Sequence, residues 1–433
     1  MSCFFRGIVY CLATLLVSTS GVVHDVDDYG AKSACVSCSG DNGLAFFHAA
    51  QGAAPDDEVL IGAGKTYWFM PAPNSIFTGL RNVTFRIEGI IVLDNNYSAW
   101  PMMSSDGEFV HAIDIRNSVG ITITGGGTID GQGQAWWWAF FRGLIARQRP
   151  TILNIEDSSY LDVAELTLKD SPRFNIYARN VSRASFHHIN ITVDVAPPSP
   201  PPYAPIFPFN TDGIDVSGRF IHVFDVNVQN YDDAVAVKPL STCTHNVLVE
   251  RVTVTRGVGL SIGSVGPKDD GECVRDVVFR NCTATSPFKL IYIKTGTHDV
   301  NDTNAWALVE NITYAHVYAS DVWFWPIYIG PQQQSEPDGT GQGWWPKVVD
   351  PRVTVRNIHL KDIYVVRNKL RAGLLRCNAS NPCGPVHFNN VQISGGWFGY
   401  HCDGVFGSVD SSSIPQQFHT CTFDIDIQKL NRH

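Results

Sequence analysis

The chain has 433 residues, 44% hydrophobic and 17% charged, a composition that suits a folded protein with a large core and argues against a disordered or fibrous chain. Its formal net charge is −9, with no long basic run and no interleaved basic-aromatic patch, which excludes the usual footprint of a nucleic-acid binder. A polyanionic sugar remains compatible, because binding one needs only a local cationic groove.

Taken in chain order, residues 1–21 (MSCFFRGIVYCLATLLVSTSG) read as a secretory signal: one basic residue, an apolar run from Ile8 to Val17, then small residues. That run is too short to span a bilayer, and no later stretch approaches the roughly 18 apolar residues a span needs. The expectation is a secreted, extracellular, monomeric protein with no membrane partner. Eleven cysteines fit an oxidising compartment; Cys3 and Cys11 fall in the signal, so at least one of the rest is left without an intrachain partner. Close pairs suggest Cys35–Cys38, Cys377–Cys383 and Cys402–Cys421, and Cys35-Val-Ser-Cys38 lacks the second CxxC of a zinc site. Eight Asn-x-Ser/Thr sequons, at Asn82, Asn96, Asn180, Asn190, Asn281, Asn301, Asn311 and Asn378, agree with a secretory route.

The stretch 41–54 (DNGLAFFHAAQGAA) predicts a short helix capping the N-terminal end. From about residue 80 one phrase recurs, a short β-branched run, a polar turn and another run, as in NVSRASFHHINITV and THNVLVERVTVTR. Each phrase alternates with period 2 and is bounded by Gly, Asn, Asp or Ser, which specifies strands. Phrases repeat roughly every 21 to 46 residues, the solenoid range. An offset of 26 lays Val226 on Val252, Val228 on Val254 and Asp232 on Val258; an offset of 21 lays Asp212 on Asp233. The fold expected is all-β, a single-stranded parallel β-helix over 22–394, with stacked residues about 4.8 Å apart. The Pro-rich insertion 196–208 interrupts it as a stiff loop, and 395–433, where the repeat fades, is expected to close the C-terminal end.

The segment 209–239 carries five aspartates. Most aspartates in a solenoid make turns. Asp212, Asp232 and Asp233, however, fall on neighbouring rungs of one face with Lys294 on a later rung. Like charges that close raise at least one pKa, and a protonated carboxyl beside ionised ones is the inventory for cleaving a glycosidic bond.

Asn210-Thr211-Asp212, Asp232-Asp233, Gly257-Val258-Gly259 through Ser264 and Ile293-Lys294 occur in the order seen in glycoside hydrolase family 28, and the chain resembles that family from about residue 25 to 330. DYGAKS (28–33), IDGQGQAWW (129–137), RPTILNIEDS (149–158) and LKDSPRFNI (168–176) support the resemblance. The family contains the polygalacturonases and rhamnogalacturonan hydrolases of pectin breakdown. The resemblance implies that the β-helix is right-handed and that the substrate is a pectic polysaccharide. It implies Asp232 as general acid and Asp212 and Asp233 as the pair that activates water, in an inverting hydrolysis needing no metal or organic cofactor. Inversion calls for carboxyls roughly 6.5–9.5 Å apart. Asn210, Lys294, Tyr292 and Tyr328 are the expected substrate contacts.

Two departures stand out. The family's polygalacturonases carry Gly-His-Gly where this chain has Gly257-Val258-Gly259, and Arg-Ile-Lys where it has Tyr292-Ile293-Lys294. Valine cannot tune a carboxyl, and loss of the arginine removes a bidentate grip on a uronate. Three readings follow: a polygalacturonase whose grip is rebuilt elsewhere, a rhamnogalacturonan hydrolase facing a neutral sugar, or an inactive pectin-binding β-helix. The last ranks third because all three acidic positions are kept. The remaining motifs point to structure: Trp136, Trp137 and Trp138 as a core plug or loop seal, GAGKT (62–66) as a strand start, GGG (125–127) as a turn, and His187, His188 and His245 as ordinary histidines.

Overall fold

The computed structural model describes residues 21–103, 108–145, 148–195, 207–296, 304–331, 349–415, 418–419 and 422–426. Residues 1–20 of the expected signal, most of the Pro-rich insertion (196–206), Asn301 and Cys421 lie outside them.

β-branched residues at every second position face inward and stack on their counterparts one coil away, so each short strand is stabilised by the next. The column Ile176, Ile214, Val235, Leu260, Ile291, Ile327 is one such stack, in parallel register throughout and fully buried. Burying each such side chain contributes about 1.5–3 kcal/mol, and repetition makes the coil stable without any one large layer. Every pairing between named strands is parallel, giving a right-handed parallel β-helix. Asparagine, aspartate and a few bulkier residues turn the chain between faces in left-handed conformation, among them Asn180, Asp225, Asn246, Asp276 and Asn311. Asp225 (φ 53°) is therefore a turn residue, tied to Arg251 at 2.7 Å, and takes no part in the site.

The helix Ser39–Gly52 covers the first coil, with Phe46, Ala49 and Ala50 buried against Phe69, Phe77 and Phe85. A second helix, Gly133–Phe141, occupies the tryptophan run: Trp136 packs edge-on to Trp100 and Phe109 and plugs the core, while Trp137 donates to Ser171 O and is buried with Val193 in a small separate cluster against which Trp138 packs. No helix among the described residues is long and apolar enough to cross a membrane.

Past residue 395 the repeat fades in the sequence but not in the backbone. Strands Phe398–Asp403, Val405–Asp410 and Thr422–Asp426 continue the parallel ladders, so this closing segment adds coil. Disulfides join Cys35–Cys38, Cys377–Cys383 and Cys243–Cys273. The last pair spans adjacent coils at a separation of 30 residues, which spacing alone does not reveal. Cys282 is free and buried.

Candidate active site

One face of the coil is built from short strands whose outward residues form columns. Paired register through Ile214, Val235, Leu260 and Ile291 places Asp212, Asp233, Val258 and Lys289, each two residues earlier, in a single column, with Phe174 one coil before Asp212. The offset between coils is 26 at Val226 and Val228 but 25 from Val235 to Leu260, so Val258 follows Asp233 and not Asp232. A one-residue difference in the turn between the two faces accounts for the shift.

Asp212, Asp232 and Asp233 converge, one carboxylate oxygen from each lying within 4.8 Å of the others. This is tighter than the expected 6.5–9.5 Å, so nearest-oxygen spacing does not by itself select inversion. Asp212 and Asp233 are buried, and Asp232 is partly exposed. Asp232 accepts from the backbone N–H of Asn210 at 2.9 Å and of Asp233 at 3.0 Å. Asp233 accepts from Ser261 Oγ at 2.6 Å on one oxygen and from the Lys294 ammonium on the other. Asp212 Oδ1 is buried with no hydrogen-bond partner among the described residues.

Two site residues escaped the sequence. Lys238 Nζ lies 3.2 Å from Asp215, 3.6 Å from Asp212 and 3.8 Å from Asp233, and Asp215 is itself fully buried. Lys238 and Lys294 follow Val237 and Ile293, which share a register two coils apart; that coincidence was the available signal.

Burial, then the neighbouring Asp215 and Asp232 carboxylates, pushes Asp212 well above the usual carboxylate range. Burial and Asp233 push Asp232 up as well. Burial works the same way on Asp233, but the Lys294 and Lys238 ammoniums outweigh it and hold that carboxyl low. Asp215 is raised to about 6, by burial against the pull of Lys238. The cluster thus sets two carboxyls pushed up, Asp212 and Asp232, beside one held low, Asp233. Among the described residues the three aspartates are the one group of His, Cys, Asp or Glu close enough to hold a metal ion, and two ammoniums already supply positive charge there.

The expected substrate contacts are placed differently. Asn210 turns its carboxamide oxygen to Arg149 (3.0 Å) and its backbone N–H to the Asp232 carboxylate (2.9 Å), so it holds Asp232 in place. Lys294 is engaged by Asp233. Tyr292 is 4% exposed; the Lys289 and Lys294 ammoniums sit 4.3 and 5.2 Å from its ring centre, so its face is largely covered. Tyr328 is fully buried, donating to Pro331 O at 2.5 Å, and does not reach the groove. Its ring meets Tyr292 edge-on, and both join an apolar cluster with Val258, Trp325 and Leu374.

The family model for glycosyl hydrolases family 28 matches residues 72–412. A probable endo-xylogalacturonan hydrolase A of Aspergillus oryzae is 30% identical over 281 residues; the match covers 64% of this chain and 61% of the relative's own length. An exopolygalacturonase of Platanus acerifolia is 24% identical over 92% of this chain and 98% of its own. The solved endo-xylogalacturonan hydrolase of Aspergillus tubingensis aligns with a TM-score of 0.59 at 19% identity, over 93% of this chain and 100% of that one. The family 28 exopolygalacturonase of Yersinia enterocolitica aligns at 0.68 and 14% identity, over 94% and 78%. At such identities the structural likeness speaks for the fold. The family model, by contrast, runs through all the acidic positions of the cluster and across most of the coil, and the chain belongs to glycosyl hydrolase family 28.

Proposed function

We propose that the protein is a secreted glycoside hydrolase that cleaves α-1,4-galacturonosidic bonds of a pectic galacturonan by single displacement. The observation that carries this reading is the convergence of Asp212, Asp232 and Asp233, one carboxylate oxygen of each within 4.8 Å of the others, with the Lys294 and Lys238 ammoniums beside Asp233. Asp232, partly exposed and with its proton affinity raised by burial and by Asp233, gives its proton to the glycosidic oxygen as the C–O bond breaks. Asp233 takes a proton from the water whose oxygen bonds to the anomeric carbon. Asp212 is the second holder of that water, through its unpartnered oxygen. Both oxygens of Asp233 are engaged, by Ser261 and by Lys294. A carboxylate tethered in this way is better placed to polarise water than to advance on carbon, which favours single displacement despite the short spacing. The relatives named as xylogalacturonan hydrolases and exopolygalacturonase support a galacturonan substrate. The disulfides Cys35–Cys38, Cys243–Cys273 and Cys377–Cys383 among the described residues suit a secreted protein.

The tyrosine standing where the family's polygalacturonases carry arginine favours a second reading, in which the sugar on that side is neutral, as in a rhamnose-galacturonate backbone. Incubation with polygalacturonate, xylogalacturonan and de-esterified rhamnogalacturonan, following new reducing ends and the first-formed anomer by NMR, separates the readings. Release from a galacturonan with inverted configuration is expected. Release from rhamnogalacturonan alone replaces the first reading with the second, a retained anomer removes single displacement, and binding without release leaves an inactive binding protein.

A further inference from the structure

At one corner of the coil every rung places a residue in left-handed conformation, and most rungs use Asn, Asp or Gly: Asn82, Gly120, Asn246, Asp276, Asn311 and Asn357. The three consecutive rungs between Gly120 and Asn246 carry Tyr160, Arg183 and Phe220 instead, at φ 56°, 54° and 56°. Among the described residues, no other Tyr, Phe or Trp has a positive φ. The conformation is sterically costly for a bulky side chain, and asparagine or glycine would avoid that cost. The core does not call for these rings: Tyr160 is 57% and Phe220 49% exposed.

The three side chains form a stack. The Arg183 guanidinium lies between the two rings, 5.5 Å from the centre of Tyr160 and 5.6 Å from that of Phe220. A guanidinium stacked by its faces keeps its N–H edges for an anion. Arg219, exposed beside Phe220, adds a second cation, and neither guanidinium has a hydrogen-bond or ion-pair partner among the described residues. The carboxylates of the adjoining turns are already engaged, Asp157 by Asn180 at 2.7 Å, Asp162 by His187 at 2.9 Å and Asp276 by Arg275 at 2.6 Å. His245 stands edge-on to Phe220 at 6.0 Å; burial and Arg275 push it down against the pull of Asp276, so it adds no charge at neutral pH. Rings and cations therefore alternate across coils, in a strip that no continuous run of the sequence displays. Such a strip complements a polymer with regular negative charge on rings that have apolar faces. Two guanidiniums on a chain of net charge −9 match a nucleic acid poorly, since one takes on the order of 6–10 phosphate contacts.

We propose that Tyr160, Arg183, Arg219 and Phe220 form a second attachment surface for an anionic polysaccharide, outside the groove, holding one part of a long pectic chain while the aspartates act on another. The turns at Asp157, Asn180 and Gly218 separate this face from the groove strands. The inference rests on the hydrolase reading for the identity of the polymer. Two attachment points on one polymer raise its retention without any new contact in the groove.

Affinity electrophoresis of the full protein carrying Asp232→Asn tests this, in gels containing polygalacturonate, with saturating trigalacturonate to occupy the groove. Retardation is expected there and not in a gel of fully methyl-esterified pectin. Arg183→Gln with Arg219→Gln should weaken the apparent affinity by about 5- to 20-fold, as for two exposed charge pairs. Tyr160→Asn with Phe220→Asn should also weaken it; these variants install the residue that neighbouring coils use at this corner, so the fold is kept. With Asp232 restored, both double variants should leave kcat and KM on trigalacturonate unchanged and raise KM on long polygalacturonate. Retardation that neither double variant moves overturns the proposal. So does equal retardation in a gel of DNA, or a dimer that the same substitutions dissociate, which would assign the strip to a second copy of this chain. Strip-dependent retardation in a native protein that releases no reducing ends supports the attachment surface and counts against the hydrolase reading alone.

Discussion

The coils on either side of the aspartates share one backbone and carry different side chains. On the N-terminal side the groove is lined by Arg149, Arg173, Phe174 and Tyr177 and opens into cavities. On the C-terminal side the same columns hold Val258, Tyr292, Trp325, Tyr328 and Leu374, packed together with little exposure around the buried Lys289 ammonium. Within one column the residue type passes from Phe174 through Asp212 and Asp233 to Val258 and Lys289. Parallel register holds the spacing constant, so polarity is set by side-chain choice at each rung and by nothing else. A β-helix can therefore move a recognition element from one side of a reaction centre to the other by substitution, without redesigning the fold.

The difference can be broken at its centre. Asp232→Asn keeps both flanks and removes the transferable proton, so turnover should fall by about 10³-fold, within the 10²–10⁴ range of general acid catalysis, while oligosaccharide affinity is retained. Initial-rate kinetics beside calorimetry measures both. Near-native turnover would take the acid role from Asp232.

Lys294→Met tests the polarising cation. Without that ammonium, Asp233 loses its strongest opposition to burial and its proton affinity rises. The acidic limb of kcat/KM, set by ionisation of the base, should move to higher pH, and the rate below that limb should drop about 10- to 100-fold. An unmoved limb would assign the base elsewhere.

Tyr292→Arg sharpens the contrast between flanks by putting the family's guanidinium back on the apolar side. There it would join Lys289 and Lys294, whose ammoniums already flank that ring. A third buried cation should cost about 2–4 kcal/mol of stability, read as a lower denaturation midpoint, with no gain in polygalacturonate turnover. A gain would mean that this flank accepts a uronate.

Much of the fold was legible because a solenoid writes its structure locally. Alternation around Val226, Val228, Val252 and Val254 both names the strands and stacks them. The aspartates were legible for the same reason: Asp212 over Asp233 follows from counting 21 residues. Counting failed where a turn changed length, at Val258, and where the pattern weakened although the ladder continued, after residue 395. Tyr328 shows another limit. Its column was right, but whether an outward side chain meets solvent or another coil's aromatic cluster depends on what packs over it.

By itself the sequence determined the coil, the face that carries the acids and the absence of histidine and arginine from two family positions, since all of these are set by period and residue identity. Only the tertiary structure decided which carboxyls are pushed up and which is held low, that Lys238 joins Lys294 against Asp233, and that Arg149 and Arg173 line the groove on the other side of the aspartates. Those outcomes depend on distances and burial among residues from different coils. Electrostatic energy in a low-dielectric site varies steeply with both, whereas spacing along the chain does not encode them.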